Sequence, residues 1–149
     1  MKKNTVRTIV TLSLFVAVIA SSAVAQGRPQ LRADIPFSFH VAGATLPAGK
    51  YTINRPGSTN SMILVRSEKG GQAAYALSNN KQANNEPDST KLVFRRYGDQ
   101  YFLAQMWAKG EVAGISFPVT KAERKVINSR TDRHLAMADD TEEVTIALN

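Results

Sequence analysis

The sequence contains no cysteine. This absence excludes a disulfide framework, a thiolate metal site and the acyl-cysteine of a lipoprotein. The fold therefore has to be held together by the packing of its side chains.

Long apolar runs are also absent after the first 25 residues, where no stretch approaches the roughly 20 apolar residues of a transmembrane helix. The one apolar run, Ile9 to Ala20, follows the basic residues Lys2, Lys3 and Arg7 and precedes Ala23-Val24-Ala25. This order is typical of a cleaved signal peptide. We expect cleavage after Ala25 and localisation in the periplasm or outside the cell, and an uncleaved N-terminal anchor is the alternative.

Cleavage would divide the chain into a signal peptide, residues 1–25, and a single domain, residues 26–149. A chain of this length can build one hydrophobic core and is too short for two. Residues 1–25 hold three of the 19 basic side chains and none of the 12 acidic ones, which lowers the net charge from +7 to +4. A modest positive charge favours association with an anionic envelope polymer or another envelope protein, and it identifies neither.

The stretch from Lys91 to Ala108 contains two apolar runs on either side of Gly98-Asp99. Gly98 can adopt a positive φ at the first central position of a type II′ turn, so Tyr97 and Gln100 become the closing pair of a hairpin. Counting outward predicts the pairs Arg96–Tyr101, Arg95–Phe102, Phe94–Leu103, Val93–Ala104 and Leu92–Gln105. Both faces are largely apolar, one with Trp107 and the other with Met106, so the hairpin should lie between two layers.

Apolar alternation predicts further strands in segments 35–41, 50–54, 61–68, 73–78 and 142–148, and an irregular strand in 112–119. Segment 43–49 is predicted to be a tight connection, and segment 79–90 an exposed loop. Thr120 and Glu123 have the spacing of a capping box, so a short helix should follow with Ala122 and Val126 on its buried side. The predicted fold class is all-β, an antiparallel sandwich or partly open barrel of about seven to nine strands with one short helix in the C-terminal half.

Candidate catalytic residues are few. His40 should face solvent from its strand, and His134 lies near Asp132 without the G-x-S-x-G nucleophile turn of a serine hydrolase. A glycine-rich phosphate loop is missing as well. The densest acidic group lacks the spacing of a calcium loop and reads as a solvated turn: Asp139, Asp140, Glu142 and Glu143. We therefore assign no catalytic, cofactor-binding or metal-binding residue, and we do not expect an enzyme.

Arginine and aromatic side chains interleave in the hairpin, a mixture that single-stranded nucleic acid binders use. Export argues against nucleic acid, so an anionic glycan or lipid would be the more natural ligand. Intramolecular cation–π stacking near the turn is the other interpretation. The candidate ligand or partner surface consists of Arg95, Arg96, Tyr97, Tyr101 and Trp107.

Three strings follow the signal peptide: IPFSFHV at 35–41, LPAGKYTI at 46–53, and RYGDQYFL at 96–103 with Trp107 beyond it. In this order they resemble a group of small uncharacterised secreted bacterial proteins of similar length. The resemblance implies an exported β-rich domain, and it carries over no functional residue.

Three functional hypotheses follow. The first is an exported non-enzymatic structural or binding protein of the bacterial envelope or exterior, the second a carrier of a small hydrophobic or glycan ligand in a β-barrel cavity, and the third an unrecognised hydrolase. A cavity lined by Phe39, Phe94, Met106 and Trp107 would favour the carrier. A histidine and a carboxylate that converge in a cleft would favour the hydrolase.

Overall fold

The computed structural model describes residues 30–56, 61–131 and 142–148. The predicted signal peptide, His134, Asp139 and Asp140 lie outside these ranges. The described residues form eleven strands and one helix, as follows: β1 (Leu31–Ile35), β2 (Phe39–Val41), β3 (Ala44–Leu46), β4 (Gly49–Asn54), β5 (Met62–Ser67), β6 (Ala73–Leu77), β7 (Asn79–Gln82), β8 (Lys91–Tyr97), β9 (Gln100–Trp107), β10 (Ala113–Ser116), α1 (Lys121–Thr131) and β11 (Glu142–Ala147).

The strands form two open sheets. The first sheet has the order β1-β4-β5-β6, and the second has the order β11-β8-β9-β10-β7. In the second sheet β2 also pairs in parallel with β9 and antiparallel with β3, while the pairs along both strand orders are antiparallel. The mostly β, mostly antiparallel fold with one short helix is confirmed. The eleven strands exceed the seven to nine expected for two reasons. One predicted strand is divided in two, and two segments predicted to be connections contain strands of their own.

The segment 35–41 is two strands rather than one. Ile35 ends β1 in the first sheet and Phe39 begins β2 in the second. Pro36 has no N–H to continue the first ladder, so the chain leaves that sheet and crosses to the other. Phe37 lies in the crossing and stacks on Tyr101, with ring centroids 3.9 Å apart.

The segments predicted to be connections also contain strands. Residues 44–46 form β3, which pairs with β2 through a turn at Ala42 and Gly43, whose φ angles of 51° and 85° suit a type I′ hairpin. Alanine is uncommon in that left-handed region, so the turn has no sequence signature. Residues 79–82 form β7, which pairs with β10, so the long loop predicted for 79–90 is shorter.

The core lies between the two sheets and is centred on aromatic rings. Phe39 meets Tyr51 and Phe94 edge to face, with centroids 5.2 and 5.6 Å apart. The Tyr51 hydroxyl donates a hydrogen bond of 2.6 Å to the Pro47 carbonyl, and burial raises the pKa of Tyr51. Phe39, Phe94 and Met106, which the carrier hypothesis would place around a cavity, are thus packed core residues.

The hairpin forms β8 and β9, with Gly98 at a φ of 65° in the turn. The pairs from Tyr97–Gln100 to Phe94–Leu103 are confirmed, but the predicted pairing of Val93 and Leu92 is wrong. A β-bulge between Val93 and Phe94 shifts the register, so that Val93 faces Gln105 and Leu92 faces Met106. The bulge exchanges the faces of two side chains: Met106 joins the core, and Trp107 packs against Gly114.

The capping box produces the predicted helix, and the Glu123 N–H donates to the Thr120 hydroxyl at 3.2 Å. Its buried side agrees with the prediction only in part, since Val126 is half-buried as expected. Ala122 is exposed, whereas Glu123 is only 1% exposed. Within the described ranges, no helix has the length and apolar character needed to cross a membrane.

Candidate binding cleft

Glu123 anchors α1 to the outer face of the second sheet. Its carboxylate accepts two hydrogen bonds from the Arg95 guanidinium, one from Nε and one of 3.1 Å from Nη2. The Tyr97 hydroxyl donates a third bond of 3.3 Å to the same carboxylate. A two-point contact between a guanidinium and a carboxylate fixes their relative orientation, so this pair holds the first turn of α1 against the sheet.

Local structure brings these groups together. Successive side chains of a strand point to opposite faces, so Arg95 and Tyr97 share one face of β8 while Phe94 points into the core. On the helix side, Glu123 occupies the third position after Thr120, within the first turn, where the helix dipole favours a negative charge. In a capping box this side chain reaches back to the N-cap, but here it binds the sheet.

His40 lies in the same row of side chains as Arg95. It pairs with Phe102 across β2 and β9, and the two rings stack with centroids 4.6 Å apart. Its Nδ1 lies 3.0 Å from the Thr45 hydroxyl. Burial lowers the pKa of His40, and the charge of Glu123 opposes that shift. As predicted, His40 points away from the core residues Phe39 and Val41, but its ring is partly covered by Phe102 rather than fully exposed.

A cleft of about 610 Å³ opens beside this row. One wall is strand β6, with Tyr75, Ala76 and Leu77. Phe117, Pro118 and the first turn of α1 also line the cleft, together with Phe102 and Leu103 of β9. The cleft thus lies where the end of the first sheet, the second sheet and α1 meet, outside the aromatic core.

Four polar side chains border this largely apolar cleft: His40, Thr120, Lys121 and Glu123. The Thr120 hydroxyl and the Glu123 carboxylate already have protein partners, whereas the Lys121 residue is exposed. The turn at Ala42 and Gly43 completes the border. A left-handed alanine is unfavourable by roughly 1 kcal/mol, and such residues persist where the surrounding structure holds them.

The apolar surface continues from the cleft onto the outer face of the first sheet. Tyr75 and Leu77 are 60% and 67% exposed, and both belong to the wall of the cleft. Met62, 38% exposed, pairs with Leu77 across β5 and β6, whereas Leu64, which pairs with Tyr75, is buried. Contiguous exposed apolar side chains of this kind often mark binding surfaces.

The five candidate residues of the hairpin occupy three settings. Arg95 and Tyr97 bind Glu123 beneath α1. Arg96 points to the opposite face, 3.0 Å from the Glu142 carboxylate, and its guanidinium lies 5.6 Å from the centre of the Tyr101 ring. Trp107 is buried and donates to the Gln105 side chain at 2.9 Å. The structure therefore does not bring the five together in one surface, and the expected stacking near the turn is present for Arg96 and Tyr101.

The residues of the cleft were missed because each sequence signal allowed another interpretation. In β6, small residues alternate with large ones: Ala74 and Ala76 face the core while Tyr75 and Leu77 face outward. This alternation was visible in the sequence, and it indicates a strand with its bulky residues exposed. Glu123 has the capping-box spacing after Thr120, which explains it without any contact to the sheet.

Among the described residues, no three His, Asp or Glu side chains cluster closely enough to hold a metal ion. Glu142 and Glu143, from the acidic group, are exposed at the start of β11. Comparison of the chain with family models, with curated proteins and with solved structures gives no match.

Proposed function

We propose that this chain is an exported, non-enzymatic binding protein whose cleft between β6 and α1 holds a small, mostly apolar ligand with an anionic end. The observation that carries the proposal is the cleft itself. Its volume of about 610 Å³ is within the range of roughly 300 to 1,000 Å³ found for ligand pockets. Its walls are apolar, with few polar groups, which is also typical of such sites.

The charge at the border of the cleft favours an anionic end. The Glu123 charge is engaged by Arg95, whereas the Lys121 side chain is exposed and lies beside the cleft. In this form of the carrier hypothesis, the ligand binds in a cleft at the side of the two sheets and not in the interior of a barrel. The core stays packed, and the exposed wall of β6 contacts the ligand.

A hydrolase is the second candidate, because His40 and Glu123 border the same cleft. A general base needs a free lone pair within hydrogen-bond reach of the proton that it removes. Both carboxylate oxygens of Glu123 already accept bonds from Arg95, and Nδ1 of His40 contacts Thr45. These contacts favour a structural role for Glu123 and hence a binding function for the cleft.

The binding proposal is tested by filling the cleft. Anilinonaphthalene sulfonate, an apolar probe with an anionic group, would be titrated into the mature protein and then displaced by fatty acids, aromatic acids and short apolar peptides. Ala122 is exposed on α1 and borders the cleft, so Ala122→Trp should weaken probe binding at least tenfold without unfolding the protein. Asn128→Trp is the matched control, since Asn128 is exposed on the same helix and does not border the cleft.

Equal probe binding by both tryptophan variants and the parent protein would contradict a ligand site in the cleft. Hydrolysis of nitrophenyl esters that disappears in His40→Gln would instead support the hydrolase.

Export is tested by a separate experiment. The full chain is expressed in a bacterium, the cells are fractionated, and the product is sequenced from its N-terminus. We expect a periplasmic or secreted product beginning at Gln26, and retention of residues 1–25 on a membrane-bound product would contradict export as a cleaved protein.

A further inference from the structure

Among the described residues, the wall of the cleft formed by β6 is an edge of the first sheet. β6 is the last strand in the order of the first sheet, with β5 on its one paired side. Backbone bonds define the ends of the β5–β6 ladder: the Ser78 N–H donates to the Ser61 carbonyl and the Ser67 N–H donates to the Gln72 carbonyl, each at 2.9 Å. An antiparallel ladder forms its bonds at every second residue, so these two contacts determine which groups of β6 bond to β5.

The residues between the bonded positions direct their backbone groups the other way. Ala74 and Ala76 lie two and four residues after Gln72, and Ser78 lies two residues after Ala76, so their backbone groups bond to β5 as those of Gln72 and Ser78 do. The N–H and C=O groups of Ala73, Tyr75 and Leu77 therefore point away from β5. Tyr75 and Leu77 border the cleft, so part of its wall is a row of backbone donors and acceptors.

We propose that the cleft binds an extended peptide segment, which adds to β6 as a further strand. The proposal rests on the cleft being the ligand site and specifies its ligand. Another extended backbone matches the repeat of donors and acceptors, of about 6.6 to 6.8 Å for every two residues. Phe117, Pro118 and the first turn of α1 line the same cleft as β6, so a chain added to this edge would lie within the cleft.

The side chains around the edge define the composition of that peptide. Residues of the added strand that pair with Tyr75 and Leu77 share their outward face, where the two exposed side chains provide apolar contact. The alternate residues point inward, toward Phe102, Leu103 and Phe117. Lys121, at the border, favours an acidic residue beside the apolar ones. The expected ligand is therefore an acidic, apolar peptide in extended conformation.

The test uses a labelled peptide, acetyl-Glu-Val-Phe-Val-Glu-amide, and the same peptide methylated on alternate backbone nitrogens. We expect the first peptide to bind and to slow hydrogen exchange of the Tyr75 and Leu77 amides, as measured by NMR. Methylation in the register that faces β6 should weaken binding at least tenfold, whereas methylation in the other register should not. Lys121→Glu should reverse the preference between this peptide and its Lys-for-Glu counterpart.

Equal binding of both methylated peptides, or exchange at Tyr75 and Leu77 that the peptide leaves unchanged, would overturn strand addition. If the sulfonate probe enters the cleft and peptides do not, this inference fails and the binding function remains. If neither binds, both fail. A dimer in light scattering, with the two amides protected in the absence of peptide, would overturn the inference by assigning the edge to a second copy of the chain.

Discussion

The two faces of the β8–β9 hairpin are covered by different chemistry. On the inner face, Phe94 and Leu103 join the core between the sheets, where Phe94 meets Phe39 edge to face. On the outer face, Arg95 and Tyr97 bind the buried carboxylate of Glu123 under α1. One strand therefore has apolar packing on one side and an ion pair on the other.

The two faces therefore contribute to different properties: the inner face to the stability of the fold, and the outer face to the position of α1. Burial of apolar surface contributes roughly 25 cal/mol per Å² whatever its direction, so the inner face supplies stability without requiring one orientation. A buried ion pair contributes little net stability against its desolvation, but its geometry is specific. The outer face should therefore determine where α1 sits, and α1 is a wall of the cleft. Substitutions on the two faces should accordingly have different effects.

The largest effect is expected on the inner face. Phe94→Ala removes a fully buried ring and leaves a cavity in the core, which should lower the free energy of unfolding by about 4 kcal/mol. Denaturant titration measures this change, with Phe94→Leu as the smaller truncation. Where the variant remains folded, its affinity for the sulfonate probe should be unchanged. A loss below about 1 kcal/mol would contradict the assignment of Phe94 to the closely packed core.

The next effect concerns the outer face. Glu123→Gln leaves the Arg95 guanidinium, 19% exposed, without its counter-charge, and should cost about 3 kcal/mol of unfolding free energy. The double variant Arg95→Met with Glu123→Leu should recover most of that stability, because it replaces the pair with apolar groups. Its α1 loses the specific contact, so probe affinity should fall while stability returns. Equal stability of Glu123→Gln and the parent protein would contradict a buried ion pair.

A third prediction concerns the β-bulge, which places the Trp107 side chain on the opposite face of β9 from the one predicted, against Gly114. A Cβ added to Gly114 would lie 2.2 Å from Cε3 of the Trp107 ring, so Gly114→Ala forces the ring or the strand to move. We expect a loss of about 2 kcal/mol. Because Trp107 is the single tryptophan, its fluorescence reports the displacement directly. Trp107→Leu should relieve the clash in Gly114→Ala, and an unchanged spectrum and stability for Gly114→Ala alone would contradict this packing.

Local patterns predicted the elements whose determinants are neighbours in sequence. Gly98-Asp99 specified the hairpin turn, and Thr120 with Glu123 specified the start of α1, because a turn or a cap depends on a few adjacent residues. The bulge at Val93 and the swap of Met106 and Trp107 depend on packing across the sheet. A one-residue shift in pairing reverses every later side chain, so counting from the turn fails beyond the bulge.

The candidate site was harder to predict because its parts are distant in sequence. Arg95 and Glu123 are 28 residues apart, and each has a sufficient local interpretation as a hairpin arginine or a cap residue. The β6 edge becomes visible only when the order of strands is known. His40 likewise reads as an outward strand residue until its strand is found to pair with β9 rather than to form an edge. Chemistry that depends on which strands become neighbours is not encoded in a short pattern.

The smallest effect is a pH dependence centred on His40. Burial lowers the pKa of its imidazole below 6.5 in the folded protein, so the unfolded chain binds the proton more readily. The stability contributed by neutral His40 is full above pH 6.5 and is lost as the pH falls through the folded pKa. The melting temperature Tm should therefore fall more between pH 7.5 and pH 5 in the parent protein than in His40→Gln, which cannot take up the proton.

The pKa of His40 can also be measured directly. Because the charge of Glu123 opposes the shift, NMR titration of the imidazole should give a still lower pKa in Glu123→Gln. A His40 pKa above 6.5, or one that rises in Glu123→Gln, would place the ring in solvent and remove it from the outer face of the hairpin.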